Sequence, residues 1–406
     1  MRRINPDGFQ VATRGTSREI NSRIVLSLVR ERQPISRADL ARAMAVSRGA
    51  VTLIVNDLLA QRLVLERPAP HTVRGRRPLN LSINARRSSV AAVDIRSTET
   101  FLQLMDLNGQ PISQVIAVRS AREPKRLVAV IARRLASLLA EFDDVGGCEG
   151  LGVIVPGMVE RTTMRVLHAP TLGWRDVDIR DRLAAATGLP VQIENSGRAC
   201  ALAQWWSLGA HRTPVQGDLV FVSVSDGVGV GVVMGGEVLR GSHNIAGEFG
   251  HVPLSLDGPR CSCGANGCWE AYVSNLATLA RYFGRAPRFG PRPAEERPFG
   301  VSDLVRCARA GDVKALAALH ATARYLGLGL ASVINALNPG FVVIGGEITE
   351  AWDLIEGIVR SALGERALTP AAAATDIRTV AASEHPRLQG AAALVIAPSF
   401  AAPVVA

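Results

Sequence analysis

Three cysteines lie within eight residues, in the run Cys261-Ser262-Cys263-Gly264-Ala265-Asn266-Gly267-Cys268. Thiolates this close, separated by glycines that let the backbone fold around an ion, suit tetrahedral zinc. A fourth ligand is needed, and His251 stands ten residues upstream of Cys261. Disulfide bonding is the alternative, but a reducing compartment disfavours it and three cysteines leave one unpaired. The expectation is one structural Zn2+ held by His251, Cys261, Cys263 and Cys268. Cys148, Cys200 and Cys307 sit in apolar or helical contexts and read as plain core residues.

Charge distribution points to a second chemistry. The chain has 406 residues and a net charge of +10. Residues 1–87 hold 17 Arg, no Lys and 6 acidic residues, a net +11, so the remaining 319 residues carry −1. A basic head on a near-neutral body suggests a nucleic-acid partner. Codon bias accounts for Arg outnumbering Lys, at 44 of 46 basic residues, but not for where the excess lies.

The elements that would position this charge are helical. Within residues 17–61, Ile20, Ile24, Leu28 and Val29 form one apolar stripe at helical spacing. Pro34 interrupts it. Ser36 can cap a second helix with Leu40, Ala41 and Met44 inward, and Ser47 a third with Val51, Val55, Leu58 and Leu59 inward. The short Ala45-Val46 connection matches a helix-turn-helix. Ser47, Arg48, Gly49 and Thr52 are then free at the end that enters a major groove. Leu63-Val64-Leu65 and Leu79–Ile83 read as strands flanking Arg74-Gly75-Arg76-Arg77-Pro78, a basic wing tip in which Arg74, Arg76 and Arg77 suit phosphates or a minor groove. The plainer alternative is a small helical bundle with a solvated charged loop.

The rest of the chain reads as α/β. Its length predicts two or three domains, and 48% apolar residues suffice for a sizeable core. No run of about 18 uninterrupted apolar residues and no signal-peptide pattern appear, so a cytoplasmic protein without a membrane partner is expected. Strands are predicted at 89–95, 101–107, 151–155, 219–224 and 341–344, with an amphipathic helix over 124–142 and long helices over 302–337. Glycines follow several strands, at Gly157, Gly227, Gly229, Gly231, Gly345 and Gly346. Two similar strand-plus-helix halves suggest two lobes around a cleft. Residues 285–298, rich in Pro and Arg, read as a surface loop.

These segments resemble the ROK family (repressors, open reading frames and sugar kinases). The likeness rests on Gly247-Glu248-Phe249-Gly250-His251, on Cys261 through Glu270-Ala271-Tyr272, on Val155-Pro156-Gly157, on Glu194-Asn195 and on the glycine-rich stretch 227–231. With the winged head in front, the chain looks like the transcription-regulator branch. The resemblance implies an actin/hexokinase-like body holding a sugar between its lobes, with hydroxyls bound at Asn195, Glu248, His251 and Glu270. Carboxylates and an amide can make the paired hydrogen bonds that discriminate hydroxyl patterns. Alternatively Glu248 and Glu270 are solvated or only stabilise turns. His251 could give one ring nitrogen to zinc and the other to the sugar, making the metal a support for the pocket.

Four positions depart from the family pattern. The kinases place an aspartate base where Ser196 stands, and a serine hydroxyl is too weak a base to replace it. Their phosphate loop, Asp-x-Gly-Gly-Thr, becomes Asp94-Ile95-Arg96-Ser97-Thr98, with Arg96 and Ser97 in place of both glycines. Relatives often carry asparagine at Thr171, which leaves the sugar's identity open.

The expectation is therefore a winged helix-turn-helix over 1–87, a first lobe over 88–200, and a second over 201–406 whose last segment returns to the first. The partners expected are a double-stranded DNA operator and a sugar or sugar derivative, in a homodimer or homotetramer without kinase activity. Two alternatives are a bifunctional ATP-dependent sugar kinase and a DNA-binding protein whose body only oligomerises.

Overall fold

A computed structural model of the chain describes residues 14–68, 79–208, 218–287 and 299–400. The first segment folds as α1 (Arg14–Arg32), β1 (Ile35–Ser36), α2 (Arg37–Met44), α3 (Arg48–Ala60), β2 (Val64–Pro68) and β3 (Leu79–Ile83). Ser36 caps α2 in a reciprocal capping box with Asp39, and the Ser47 hydroxyl accepts from the Ala50 amide to start α3. Between these helices Ala45 takes the left-handed conformation, at φ 52°. β3 pairs antiparallel with both β1 and β2.

The buried face of α1 differs from the expected stripe. Val25, Leu26 and Val29 are buried, whereas Ile20, Ile24 and Leu28 are only half-buried. Two bodies compete for this helix, and the difference follows from that: it packs on α3 and also on the last helix of the chain. Arg74, Arg76 and Arg77 lie outside the described residues, as does most of the predicted loop at 285–298.

The next elements are β4 (Ser89–Ile95), β5 (Glu99–Asp106), β6 (Ile116–Arg119), α4 (Pro124–Glu141) and β7 (Cys148–Val155). They are followed by the short β8 (Met158–Val159), β9 (Val166–Ala169) and β10 (Trp174–Val177), then α5 (Arg180–Thr187), β11 (Val191–Asn195) and α6 (Ser196–Ser207). Five strands form one sheet in the order β11-β7-β4-β5-β6. β4, β7 and β11 run parallel, and β5 and β6 complete an antiparallel edge.

A second set comprises β12 (Leu219–Val224), β13 (Val228–Met234), β14 (Glu237–Val238), α7 (Glu270–Val273), α8 (Asn275–Tyr282), α9 (Val301–Arg309) and α10 (Val313–Leu337). It ends with β15 (Phe341–Gly345), α11 (Trp352–Gly364), α12 (Pro370–Ala373), β16 (Asp376–Val380) and α13 (Pro386–Phe400). The strand order β14-β13-β12-β15-β16 repeats the first sheet: an antiparallel three-strand edge followed by two parallel strands. The two halves are one architecture used twice, the actin/hexokinase-like body.

Side-chain alternation explains the layers. Val220, Val222 and Val224 of β12 face the cluster built by α10 and α11, while Leu219 and Phe221 face Cys200 and Ala201 of α6. In the first sheet Ala91, Val93 and Ile95 face α4, and Val90 and Ala92 face α13. α10 is long and apolar enough to cross a membrane by length and composition, but most of that stretch is buried in the second core. The chain's last helix thus lies on the first sheet, against β4, β7 and α6. Glycine makes that contact possible: a Cβ on Gly152 would lie 1.8 Å from the Ala391 carbonyl oxygen.

Of the scattered cysteines, Cys200 is fully buried, while Cys148 and Cys307 are half-buried. None of the six is in a disulfide.

Candidate functional site

A cleft of about 250 Å³ opens between the two sheets. Asn195, Ser196, Glu248, His251 and Glu270 all line it, as do Arg96, Ser97 and Thr171. Asn195, Glu248, His251 and Glu270, spread over 75 positions of sequence, are thus brought to one site by the end of β11, the segment after β14 and the start of α7.

Their chemical freedom differs. Asn195 is the N-cap of α6: its Oδ1 accepts from the Gly197 and Arg198 amides at 2.8 and 3.3 Å, and its Nδ2 donates to the Gly157 carbonyl at 2.8 Å. Glu270 accepts the Val228 amide at 2.9 Å on Oε2 and the Ser262 hydroxyl at 2.8 Å on Oε1. These two side chains therefore shape the cleft as well as face it. Glu248 and His251 are less committed, with His251 Nε2 4.0 Å from Glu248 Oε2. Burial and the nearby Glu270 charge push the Glu248 carboxyl above its ordinary pKa, against the opposing pull of His251 and Arg198. The Thr171 hydroxyl is buried without a hydrogen-bond partner.

Beside the cleft, His251 Nδ1 lies 3.6 Å from Cys261 Sγ, and Cys263 Sγ lies 3.6 Å from Cys268 Sγ. The four donor atoms all fall within 4.8 Å of one another. Zn–S bonds of about 2.3 Å in a tetrahedron put sulfurs about 3.8 Å apart, so the set matches the ion's geometry. Burial, with Cys263 adjacent, raises the Cys268 thiol to about 11, and burial raises Cys261 as well. A metal must therefore displace protons to bind here. Gly267, at φ 71°, turns the loop so tightly that a Cβ would sit 1.6 Å from the Ser255 carbonyl oxygen. Ser262 then ties this loop to Glu270, and through it to the β12–β13 turn.

Several contacts, and Arg387 with them, escaped the sequence reading. Asp94, wholly buried, accepts from Arg387 Nη2 and Nε at 2.6 and 2.8 Å and from Arg96 Nε at 2.7 Å. Burial alone would raise its pKa, but the two guanidiniums more than offset that and hold it below the ordinary value. Arg96 also reaches Glu347 at 3.2 Å, and Ser97 donates to Asp226 at 2.8 Å, so the segment after β4 is bonded across to the other lobe. Glu194 gathers Arg198, buried to 1% exposure, and Arg240. Arg387 was unpredictable because its partner lies 293 residues away. Glu194 was quoted as part of a motif, yet nothing local indicated its two arginines.

At the far end of α6, Trp206 meets the head. The Arg30 guanidinium of α1 lies 4.2 Å from the Trp206 ring and 5.0 Å from that of Phe400, and the Ser27 hydroxyl donates to the Phe400 carbonyl at 2.6 Å. One apolar cluster runs from Val25 and Val29 through Ile396 and Phe400 to Val90. On the head's outer side Ser47, Arg48 and Gly49 are exposed, whereas the Thr52 hydroxyl is turned back onto the Arg48 carbonyl at 2.8 Å.

Residues 90–397 match the ROK family. The xylose repressor of Bacillus subtilis strain 168 is 26% identical over 359 residues, covering 88% of this chain and 90% of that protein. Among solved structures, a ROK family transcriptional regulator homologous to the E. coli Mlc protein superposes with a TM-score of 0.75 at 26% identity, covering 95% of this chain and 97% of its own. A ROK family glucokinase from Streptomyces griseus, solved with glucose and AMPPNP, gives a TM-score of 0.63 at 25% identity over 76% of this chain and 99% of its own.

Proposed function

The chain belongs to the ROK family, and from that premise we propose that it is a DNA-binding transcriptional repressor whose two-lobed body senses a sugar. The observation that carries this is the joining of two parts. An exposed helix start at Ser47–Gly49 sits on a helical head with a two-strand wing, and that head shares a core with a body built around a polar cleft. Likeness to a regulator over 95% of the chain supports it.

In this function residues 1–87 are the winged helix-turn-helix, 88–200 the first lobe, and 201–406 the second, with α13 returning to the first. Ser47, Arg48, Gly49 and Thr52 face bases in the major groove, Thr52 through its methyl group, while Arg74, Arg76 and Arg77 of the wing hold phosphates. Asn195, Glu248, His251 and Glu270 contact the sugar, with Zn2+ on His251, Cys261, Cys263 and Cys268 fixing the His251 ring. Two heads reading two half-sites make the working form a homo-oligomer in the cytoplasm.

Phosphoryl transfer is not part of this function. Ser196 at the start of α6 offers no base, and Asp94 is held by Arg96 and Arg387 rather than open to a nucleotide. A role in control is supported instead by α6. Its cap, Asn195, lines the cleft, and its last turn carries Trp206 against Arg30 of the head. Twelve residues span about 18 Å, so a ligand that tilts the capped end moves the head.

Genomic footprinting of bound sites, followed by titration of the bound fragment with monosaccharides, tests the proposal. Discrete sites released by one sugar are expected. Uniform, salt-sensitive binding with no preferred site would refute it.

A further inference from the structure

The outer face of α3 has an apolar centre. Leu53 is 69% exposed, the most exposed large apolar side chain among the head's described residues. Gly49 lies one turn before it and Asn56 about one turn after, so the three share a face. Ala50, also exposed, flanks it. The polar groups around Leu53 are largely committed within the head. Asn56 Oδ1 accepts from Arg37 Nη1 at 2.9 Å, and Arg37 is itself held by Glu66 at 2.7 and 3.0 Å. Asp57 pairs with Arg18, the Thr52 hydroxyl donates to the Arg48 carbonyl, and the Ser47 hydroxyl accepts from the Ala50 amide. These bonds leave open the Arg48 guanidinium, one donor each on Ser47 and Asn56, and a lone pair on Thr52. At their centre stand the side chains of Ala50 and Leu53.

Gly49 supplies an independent observation. Within a helix glycine is the least favourable residue after proline. A Cβ on Gly49 would meet only the Ser47 hydroxyl, at 3.9 Å. The described fold therefore makes no demand for a missing side chain here, whereas a body approaching the backbone from outside does. Charge indicates what that body is. Residues 1–87 carry a net +11, so a second copy of the head would meet this face with like charge. A DNA major groove offers phosphates along its walls and, on its floor, the 5-methyl group of thymine as an apolar surface. We propose that Leu53 and Ala50 read thymine methyl groups in the operator, with Gly49 letting the backbone of α3 approach the base edges. This rests on the DNA-binding function above, and it adds two specificity-determining residues to the groove-facing set given there. Burying one methyl group is worth about fourfold in affinity.

The test starts from duplexes selected by the full chain out of a randomised library. They are resynthesised with deoxyuridine replacing one thymine at a time, which removes the methyl and keeps the pairing edge, and are titrated by fluorescence anisotropy. Wild type should lose about fourfold or more at one position at least, and Leu53→Ala should no longer distinguish the two duplexes at such a position. Indifference of the wild type to every replacement, or a selected site without thymine, would overturn the proposal and leave DNA binding standing. Equal discrimination by a folded Leu53→Ala at every position would also overturn it, by removing Leu53 as the reader. A library without enrichment would overturn sequence-specific DNA binding, and this proposal with it. Circular dichroism checks folding, and Gly49→Ala gives a second reading should Leu53→Ala not fold. It should melt no lower than wild type, yet bind the selected duplex about fivefold or more weakly because the added methyl crowds the contact. Binding as tight as wild type would overturn the close approach.

Discussion

Replacing Arg387 by Met tests how the first lobe is locked to the end of the chain. The Arg387 side chain is 10% exposed and that of Asp94 is 0% exposed, and two charge-assisted hydrogen bonds join them at 2.6 and 2.8 Å. Removing one member of a buried pair costs about 3–5 kcal/mol because the other is left charged in a low-dielectric site. Arg96 still reaches Asp94 but is itself 29% exposed, so the lower end, about 3 kcal/mol, is expected. The double variant Arg387→Met/Asp94→Asn removes the stranded charge and should recover at least about half of that loss. Equilibrium unfolding in urea, followed by circular dichroism, measures both. The pH dependence has a definite sign. Asp94 is held below its ordinary pKa, so its contribution is present above about pH 4 and fades as pH falls through the folded-state value. The gap between wild type and Arg387→Met should therefore narrow in acid. A single variant losing less than about 1 kcal/mol, or a double variant no better than the single, would refute the buried-pair account.

Three further outcomes are expected. Purified protein should carry one zinc per chain, and Cys263→Ser should lower both zinc content and melting temperature; metal analysis finding no zinc in carefully prepared protein would remove the metal site. Arg48→Ala should weaken specific operator binding more than non-specific binding, while Arg76→Ala should mainly reduce the salt dependence, as measured by fluorescence anisotropy across salt concentrations. Equal effects at both would displace α3 as the reading helix. Trp206→Ala removes a cation–π contact worth about 0.5–1 kcal/mol and should leave operator binding intact while blunting release by ligand; unchanged release in the same anisotropy assay would count against α6 as the connection.

Local chemistry made much of the molecule legible without coordinates. Ser36 and Ser47 could be named as caps because a cap is set by a residue type just before an apolar period. The strand that became β12 was visible because six consecutive apolar or small residues, Leu219–Val224, bury both faces. The cluster that could hold a metal was legible for the same reason: three of its four members fall in one loop, and the spacing itself limits the geometry. Val29 was placed correctly, but the rest of the buried face of α1 was not, because Val25 and Leu26 join a cluster shared by α3 and by α13, an element more than 350 residues later.

Sequence alone thus determined which residues bear the charge, which could hold a metal, and that Ser196, Arg96 and Ser97 stand where the resemblance to the family's kinases leads one to expect an aspartate and two glycines. Tertiary structure alone decided what became of the altered loop. Asp94 is neutralised by an arginine from the last helix, Arg96 and Ser97 bond across to the second lobe, and Asn195 and Glu270 are partly spent on backbone amides. The physical reason is that a buried charge or donor is satisfied by whatever the fold brings within about 3 Å, and those partners are set by sheet order and helix return.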